Sequence, residues 1–181
     1  SVTNEAGDTA TGNHATQATA ASQPKIVSAG SLNADGGLLF DGSDDFFDTG
    51  SSLNLGTEFF ITNVLNINAP VDANGSILGD APRADRLFIN SSNDKLSIRN
   101  GSVNITSSLV ASRTQDNLST YQASSSSFTF VLDGTTDAKS ALSTGQSFRY
   151  IGGGTGFELS ANMKELIVYD SDQTDNRTAI E

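Results

Sequence analysis

The sequence contains no cysteine and no tryptophan, and its only histidine is His14. Without cysteine, neither a disulfide framework nor a thiolate metal site can form. Because the single histidine falls in a polar N-terminal stretch, a Ser-His-Asp triad or a histidine-rich metal centre cannot be assembled in the core of one chain. We therefore assign His14 no role and expect the stability to come from apolar burial.

Basic residues and long apolar runs are also scarce. Ten Lys and Arg stand against 21 Asp and Glu, which gives a formal net charge of -11. A polyphosphate backbone would be repelled by this charge, so we expect no nucleic-acid binding. No stretch approaches the roughly 20 apolar residues of a transmembrane helix, so we expect no membrane insertion.

Small polar residues and phenylalanine are abundant instead. The chain has 25 Ser, 18 Thr, 15 Asn and 17 Gly, all poor helix formers, together with ten Phe. Short apolar runs separated by turn residues are typical of an antiparallel β-sandwich. We therefore predict an all-β, two-sheet antiparallel sandwich, with turns at 72–76, 133–140 and 152–156. The best strand candidates are residues 37–40, 58–67, 86–90, 127–132, 146–151 and 163–169.

The chain divides by composition into two parts. Residues 1–23 are almost all small or polar, which predicts an extended arm or linker that orders against another surface. Residues 24–181 carry the apolar runs and are predicted to form the sandwich domain. At its end, "DQTDNRTAIE" predicts a short helix start in which Thr174 is the cap. We expect that helix to continue beyond Glu181.

The segment "KLSIRNGSVNI" predicts a β-hairpin. Asn100-Gly101 would supply the two positive-φ positions of a type I′ turn. The register that follows pairs Ile98 with Val103 and Leu96 with Ile105.

The stretch "LLFDGSDDFFDTG" places four aspartates close together: Asp41, Asp44, Asp45 and Asp48. Asp-Gly and Ser-Asp pairs favour a tight turn whose side-chain oxygens accept backbone N–H groups, which is the interpretation we prefer. The alternative is a calcium site, to which these carboxylates would contribute two or three of the six to eight oxygens that Ca²⁺ needs. No other cofactor is expected.

Sugar binding is a further hypothesis. Tyr121, Tyr150, Arg83 and Arg86, if exposed on loops, would offer aromatic faces and polar groups to a glycan. The absence of tryptophan weakens this hypothesis, because tryptophan offers the largest such face.

Catalysis has less support. Glycosidases need two carboxylates about 5 to 10 Å apart. Glu58, Glu158 and Glu165 lie in or beside strand candidates but form no close pair on one strand. We therefore expect a protein without catalytic residues.

Several segments resemble a known family. "LLFDGSDDFFDTG" followed by "EFFITNVLNI", with "YIGGG" and "FELSANMKELIVYDSDQTDNRTAIE" near the end, is similar to the concanavalin A-like, laminin-G-type jelly roll. More narrowly, "GNHATQATAASQPKIVSAG", "FDGSDDFF" and "ELIVYDSDQTDNRTAIE" resemble laminin-G-like domains of tailed-bacteriophage structural proteins, both fibre and capsid-associated. Members often carry a Trp-Tyr-Asp-Gln-Ser-Gly segment where this chain reads "NEAGDTATGNH".

The resemblance implies a non-catalytic virion structural module, a capsid decoration or fibre protein, that binds host-surface glycans. It further implies other virion proteins as partners of the N-terminal arm, a homo-oligomer on the particle and an extracellular location on the virion surface. The alternatives are a structural subunit without glycan affinity and a glycan hydrolase or lyase of the same fold. For location, the alternative is a secreted or cell-surface bacterial protein.

Overall fold

In this computed structural model, the structure describes residues 14–28, 30–34, 36–68, 74–80, 85–153 and 156–180. Its strands are β1 (Val27–Ser28), β2 (Ser31–Leu32), β3 (Leu38–Asp41), β4 (Phe47–Leu55), β5 (Phe59–Ile67), β6 (Gly75–Gly79), β7 (Arg86–Ile89), β8 (Lys95–Asn100), β9 (Val103–Val110), β10 (Asn117–Ala123), β11 (Ser127–Leu132), β12 (Thr135–Ser140), β13 (Gln146–Ile151) and β14 (Ser160–Tyr169). Short 3-10 turns cover Ala20–Ser22 and Thr174–Asn176, and a single α-helical turn, α1, covers Arg177–Ile180.

Two six-stranded antiparallel sheets form a sandwich, as predicted. The front sheet has the order β12-β11-β10-β5-β14-β3, and the back sheet has the order β4-β13-β6-β7-β8-β9. A separate hairpin joins β1 to β2. No helix of the described residues is long and apolar enough to cross a membrane.

The core lies between the sheets and is rich in phenylalanine. On β11, Phe128 and Phe130 point inward from alternate positions, with ring centroids 4.9 Å apart. Tyr121 of β10 packs edge-on against Phe130 at 5.7 Å. The back sheet contributes Phe148 and buried Leu and Ile side chains to the same cluster. Each such side chain contributes about 1.5 to 3 kcal/mol on burial, so the phenylalanines explain why a chain this polar folds.

All six predicted strand segments are strands, but the turn prediction for 133–140 is wrong, and the one for 72–76 is wrong at Gly75 and Ser76, which begin β6. Only Asp133 and Gly134 turn, with φ angles of 47° and 80°, and they close a two-residue hairpin between β11 and β12. The next six residues form β12, an edge strand with mostly exposed side chains. An exposed edge strand needs no apolar alternation, so the sequence pattern did not reveal it.

The predicted hairpin at 95–105 exists, but its register is wrong by two residues. Asn100 pairs with Val103, and Ile98 pairs with Ile105. The turn residues are therefore Gly101 and Ser102. A type I′ turn needs a positive φ at both turn residues. Gly101 has φ 58°, but neither Asn100 nor Ser102 has a positive φ. Glycine thus occupies the first turn position, as type II′ requires, and Val103 is left exposed at the hairpin end.

The described part of the predicted arm contacts the sandwich. Thr16 and Asp48 exchange two backbone hydrogen bonds of 2.8 Å, and the Gln17 side chain donates to the carbonyl of Phe46. The proposed boundary at residue 24 stays a prediction, because residues 1–13 lie outside the described ranges.

At the other end of the domain, a 3-10 turn begins at Thr174, but Thr174 is not the cap. Its N–H instead donates to Oδ1 of Asp172 at 2.9 Å.

Candidate functional site

One row of side chains crosses the outer face of the front sheet. Gln122 lies directly opposite Phe60 on one side and Thr129 on the other, and Tyr169 lies opposite Phe60. Because strand side chains alternate, this row faces away from the core that Tyr121 enters. The Tyr169 and Phe60 rings are 6.2 Å apart, and Tyr169 remains 37% exposed.

A serine-rich loop, Ser124–Ser126, joins β10 to β11 beside this row, and Ser127 begins β11. The N–H of Ser124 donates to the carbonyl of Ser127 at 2.9 Å, and the N–H of Ser127 donates to Oγ of Ser124 at 3.2 Å. These bonds fix the loop backbone. Ser125 and Ser126, at its tip, are exposed.

The chain that follows β14 contacts the same row. Oδ1 of Asp172 accepts from Nε2 of Gln122 at 3.4 Å, and Gln122 also donates to Oγ1 of Thr174. A β10 side chain therefore positions the start of the C-terminal 3-10 turn. Asp175 and Arg177 follow in that turn and in α1.

These elements enclose an open cavity of about 610 Å³, which we call the polar groove. Its walls offer hydroxyl, amide, carboxylate and guanidinium groups, which together supply hydrogen-bond donors and acceptors. Such a surface suits a ligand that carries many hydroxyl groups. The lining residues are Gln122, Ser124, Ser125, Ser126, Ser127, Thr129, Asp172, Thr174, Asp175 and Arg177.

Two of the predicted sugar-binding residues are buried rather than exposed on loops. Tyr121 lies in β10 with 0% exposure, because its position in the strand alternation directs it into the core. Arg86 lies in β7 with 5% exposure, and its guanidinium stacks 3.7 Å from the ring centroid of Phe157. Neither side chain can reach a glycan in solution without local unfolding, so their predicted placement is wrong.

Tyr150 and Arg83 have different outcomes. Tyr150 lies in β13 and is half-buried, with its ring edge-on to Phe46 at 5.6 Å. Its role in sugar binding stays a prediction. Arg83 lies outside the described residues.

The predicted acidic cluster divides in two. Asp41, Asp44 and Asp45 each offer a carboxylate oxygen within 4.8 Å of the others. Asp41 and Asp44 are exposed, whereas Asp45 is buried with 1% exposure. Burial raises the pKa of Asp45, and the N–H of Asp41, which donates to Oδ2 at 3.0 Å, opposes that effect.

Asp48 is not part of that group. Its two carboxylate oxygens accept from Nε and Nη2 of Arg149, each at 2.9 Å. This bidentate pair lowers the pKa of Asp48, and the N–H of Gly50 adds to the effect. Asp48 thus joins β4 to β13 instead of contributing to a metal site.

The sequence interpretation missed the polar groove because its parts come from distant segments. Gln122 and Thr129 meet only through the β10–β11 register, and Asp172 arrives from fifty residues further along the chain. The one local signal is the run of four serines that connects β10 to β11 and includes the first residue of β11. A serine run is also an ordinary turn, so it did not indicate a site by itself.

Comparison with known proteins shows the fold and no more. No protein-family model matches the sequence, and no curated protein matches it. The structure is similar to Trypanosoma rangeli sialidase in complex with sialic acid, with a TM-score of 0.56 and 12% identity over 78% of this chain and 26% of the sialidase chain. The chain therefore spans about a quarter of that sialidase's length.

Two smaller proteins are also similar in structure. The carbohydrate binding module CBM66 from Bacillus subtilis has a TM-score of 0.46 and 13% identity over 75% of this chain and 88% of its own. Sheep galectin-11 in complex with glycerol has a TM-score of 0.40 and 9% identity over 65% of this chain and 94% of its own. With its two antiparallel six-stranded sheets, the chain is a jelly-roll-type β-sandwich of the concanavalin A-like kind.

Proposed function

We propose that the protein is a non-catalytic glycan-binding module and that the polar groove is its binding site. The observation that carries the proposal is the convergence of the serine loop, the outer strand row and the C-terminal turn on one open cavity. Sugar hydroxyls both donate and accept hydrogen bonds, which matches the mixture of hydroxyl, amide and charged groups in its walls. Tyr169, the exposed ring in the same row as Gln122, lies two strands away and offers a face to a longer glycan.

A glycan hydrolase of the same fold is the alternative, and its chemistry would place demands on the carboxylates of the groove. Two carboxylates are needed, one as acid and one as base or nucleophile. Oδ1 of Asp172 accepts hydrogen bonds from Gln122 and from Thr174, which gives this carboxylate a part in holding the C-terminal turn. Asp175 is the remaining carboxylate of the lining.

A glycan array followed by calorimetric titration tests the proposal. The variant Thr129→Val removes one groove hydroxyl while keeping the side-chain shape. Losing a hydrogen bond of about 0.5 to 1.5 kcal/mol should weaken binding by roughly two- to tenfold. Thr136→Val is the matched control, because Thr136 is exposed on the neighbouring strand β12 and does not line the groove.

A second pair of variants tests the charged end of the groove. Asp175→Asn should also weaken binding, whereas Asp170→Asn, on the same segment but outside the lining, should not. All four variants should keep the unfolding temperature of the parent. A folded protein that binds no glycan on the array would overturn the proposal and would favour the purely structural alternative. Turnover of a glycan that disappears in Glu158→Gln or Glu165→Gln would instead favour an enzyme.

On the sequence resemblance, we further propose that the module is displayed on a bacteriophage particle as a homo-oligomer and contacts other virion proteins through its N-terminal segment. Mass spectrometry of purified particles should find the chain at many copies per particle, and sedimentation of the isolated protein should show a species larger than one chain. Absence from particles would contradict this placement and would favour a secreted or cell-surface protein.

A further inference from the structure

The hairpin formed by β1 and β2 stands apart from the two sheets and exposes apolar side chains. Val27 pairs directly with Leu32, so their side chains lie beside each other on one face. Both are exposed, Leu32 at 72%, and the neighbouring Ile26 is exposed as well. The described residues include only three other exposed large apolar side chains, so this element holds half of them. We call it, with Ile26, Val27 and Leu32, the apolar hairpin.

Backbone hydrogen bonds hold the apolar hairpin at one edge of the sandwich. Lys25 exchanges two of them with Leu39 of β3, at 2.9 and 2.8 Å. The N–H of Asn33 donates to the carbonyl of Ile26 at 3.0 Å and closes the base of the hairpin. Because β3 is the last strand of the front sheet, the hairpin is fixed beside that edge. A two-stranded hairpin is only marginally stable alone, so exposed apolar side chains on it favour a partner that covers them.

A small cavity lies at the opposite edge, where β9 and β12 are the outer strands of the two sheets. The N–H of Ser108 in β9 donates to Oδ2 of Asp137 in β12, which joins these two strands. The cavity, which we call the edge pocket, has a volume of about 360 Å³. Val103, at 59% exposure, is the most exposed apolar side chain of its wall. The described residues that line it carry no charge; they are Asn100, Gly101, Ser102, Val103, Ile105, Ala141, Leu142, Ser143 and Thr144.

We propose that the apolar hairpin of one copy of this chain docks in the edge pocket of a second copy. The two surfaces lie at opposite edges of the molecule, so they meet between copies and not within one. Contact between Leu32 and Val103 would remove apolar surface from water on both sides. Charge favours the same arrangement. Residues 25–34 contain Lys25 and no acidic residue, and the pocket lining is uncharged, so two chains of net charge -11 repel each other least there.

This inference rests on the homo-oligomer of the proposed function and names its contact surfaces. The contact is heterologous, because each copy uses its hairpin on one neighbour and its pocket on another. A pair of copies therefore retains one uncovered hairpin and one empty pocket, and further copies can add until a ring closes or a chain of copies grows. A two-fold dimer, in which one patch contacts itself, would stop at two.

Analytical ultracentrifugation of the full chain over a range of concentrations tests the proposal. The parent should form species larger than a dimer as its concentration rises. Leu32→Asp and Val103→Asp each place a charge in the apolar contact, so each should weaken association by about tenfold or more. Val110→Asp is the matched control, because Val110 is exposed on the same strand as Val103 but does not line the pocket. All three positions are exposed, so the variants should keep the melting temperature of the parent.

A mixture of the two defective variants gives the decisive result. Leu32→Asp keeps an intact pocket and Val103→Asp keeps an intact hairpin, so an equimolar mixture should form a one-to-one dimer that grows no further. Folded variants that stay monomeric when mixed, or an oligomer that persists in both variants, would overturn this inference alone. A parent that is monomeric at every concentration would overturn the homo-oligomer as well, and would leave another protein as the partner of the hairpin. Glycan binding in the polar groove is measured separately and does not depend on any of these results.

Discussion

Tyr121 offers the sharpest test of the packing, because the structure contradicts its expected role on the surface. Its hydroxyl is buried, has no hydrogen-bond partner among the described residues, and lies beside the Phe130 ring. Burial also raises the pKa of the phenol, so the group stays protonated. An unsatisfied buried hydroxyl costs about 1 to 3 kcal/mol, and phenylalanine keeps the ring while removing that group.

We therefore expect Tyr121→Phe to stabilise the protein by about 1 kcal/mol, which corresponds to roughly 2 to 4 °C in melting temperature for a chain of this size. Urea unfolding should show a higher midpoint with an unchanged slope. Tyr150→Phe is the control; its half-buried hydroxyl should matter by less than about 0.5 kcal/mol. Destabilisation of Tyr121→Phe by more than about 1 kcal/mol would refute the reasoning, because it would mean that the hydroxyl has a partner. Glycan binding should be unchanged in both variants.

Two further predictions concern a glycine and the acidic loop. Gly152 has φ 80°, and a Cβ there would overlap the ring of Phe40, so Gly152→Ala should lower the free energy of unfolding by about 3 kcal/mol or more. Gly134 is also at φ 80° but has open space around it, so Gly134→Ala should lower that free energy by only about 1 to 2 kcal/mol in the same urea assay. Equal losses would show that the clash is absent. For pH, the lowered pKa of Asp48 adds stability above the unfolded value near 3.9, and that stability is lost as pH falls through the folded pKa. The raised pKa of Asp45 acts oppositely, and stability falls as pH rises from about 3.9 through its folded pKa. Between pH 3 and 6 without added metal, the free energy of unfolding of Asp48→Asn should fall less toward acid pH than that of the parent. The free energy of unfolding of Asp45→Asn should no longer decrease as the pH rises. The same pH slope in both variants would contradict these assignments.

The local patterns of this sequence were enough to predict the sandwich. Runs such as "SFTFVL" carry the two-residue alternation that places Phe128 and Phe130 in the core, and the structure has a strand at the same residues. Strand β12 could not be predicted in the same way, because an exposed edge strand gains its stability from pairing with β11 and not from its own side chains. The hairpin register was predicted wrongly because glycine is compatible with two turn types. Gly101 can be the second turn residue of a type I′ turn, as predicted, or the first turn residue of a type II′ turn, as in the structure.

The candidate site was harder to predict than the fold. Tyr121 and Gln122 are adjacent in sequence, yet strand alternation sends one into the core and the other into the polar groove. Which of the two faces outward depends on the pairing of β10 with β5 and β11, and composition carries no information about that register. Similarly, four nearby aspartates suggested one cluster, but Arg149, about one hundred residues away, withdraws Asp48 from it.

The central claim is that a glycan binds in the polar groove, and a heteronuclear NMR titration tests it most directly. With a glycan selected by array, amide shifts should change in a saturable manner at Gln122, in Ser124–Ser127, at Thr129 and from Asp172 to Arg177. Shifts around Tyr150 should stay constant. Saturable changes centred on Tyr150 and the acidic loop, with none at the groove, would contradict the account.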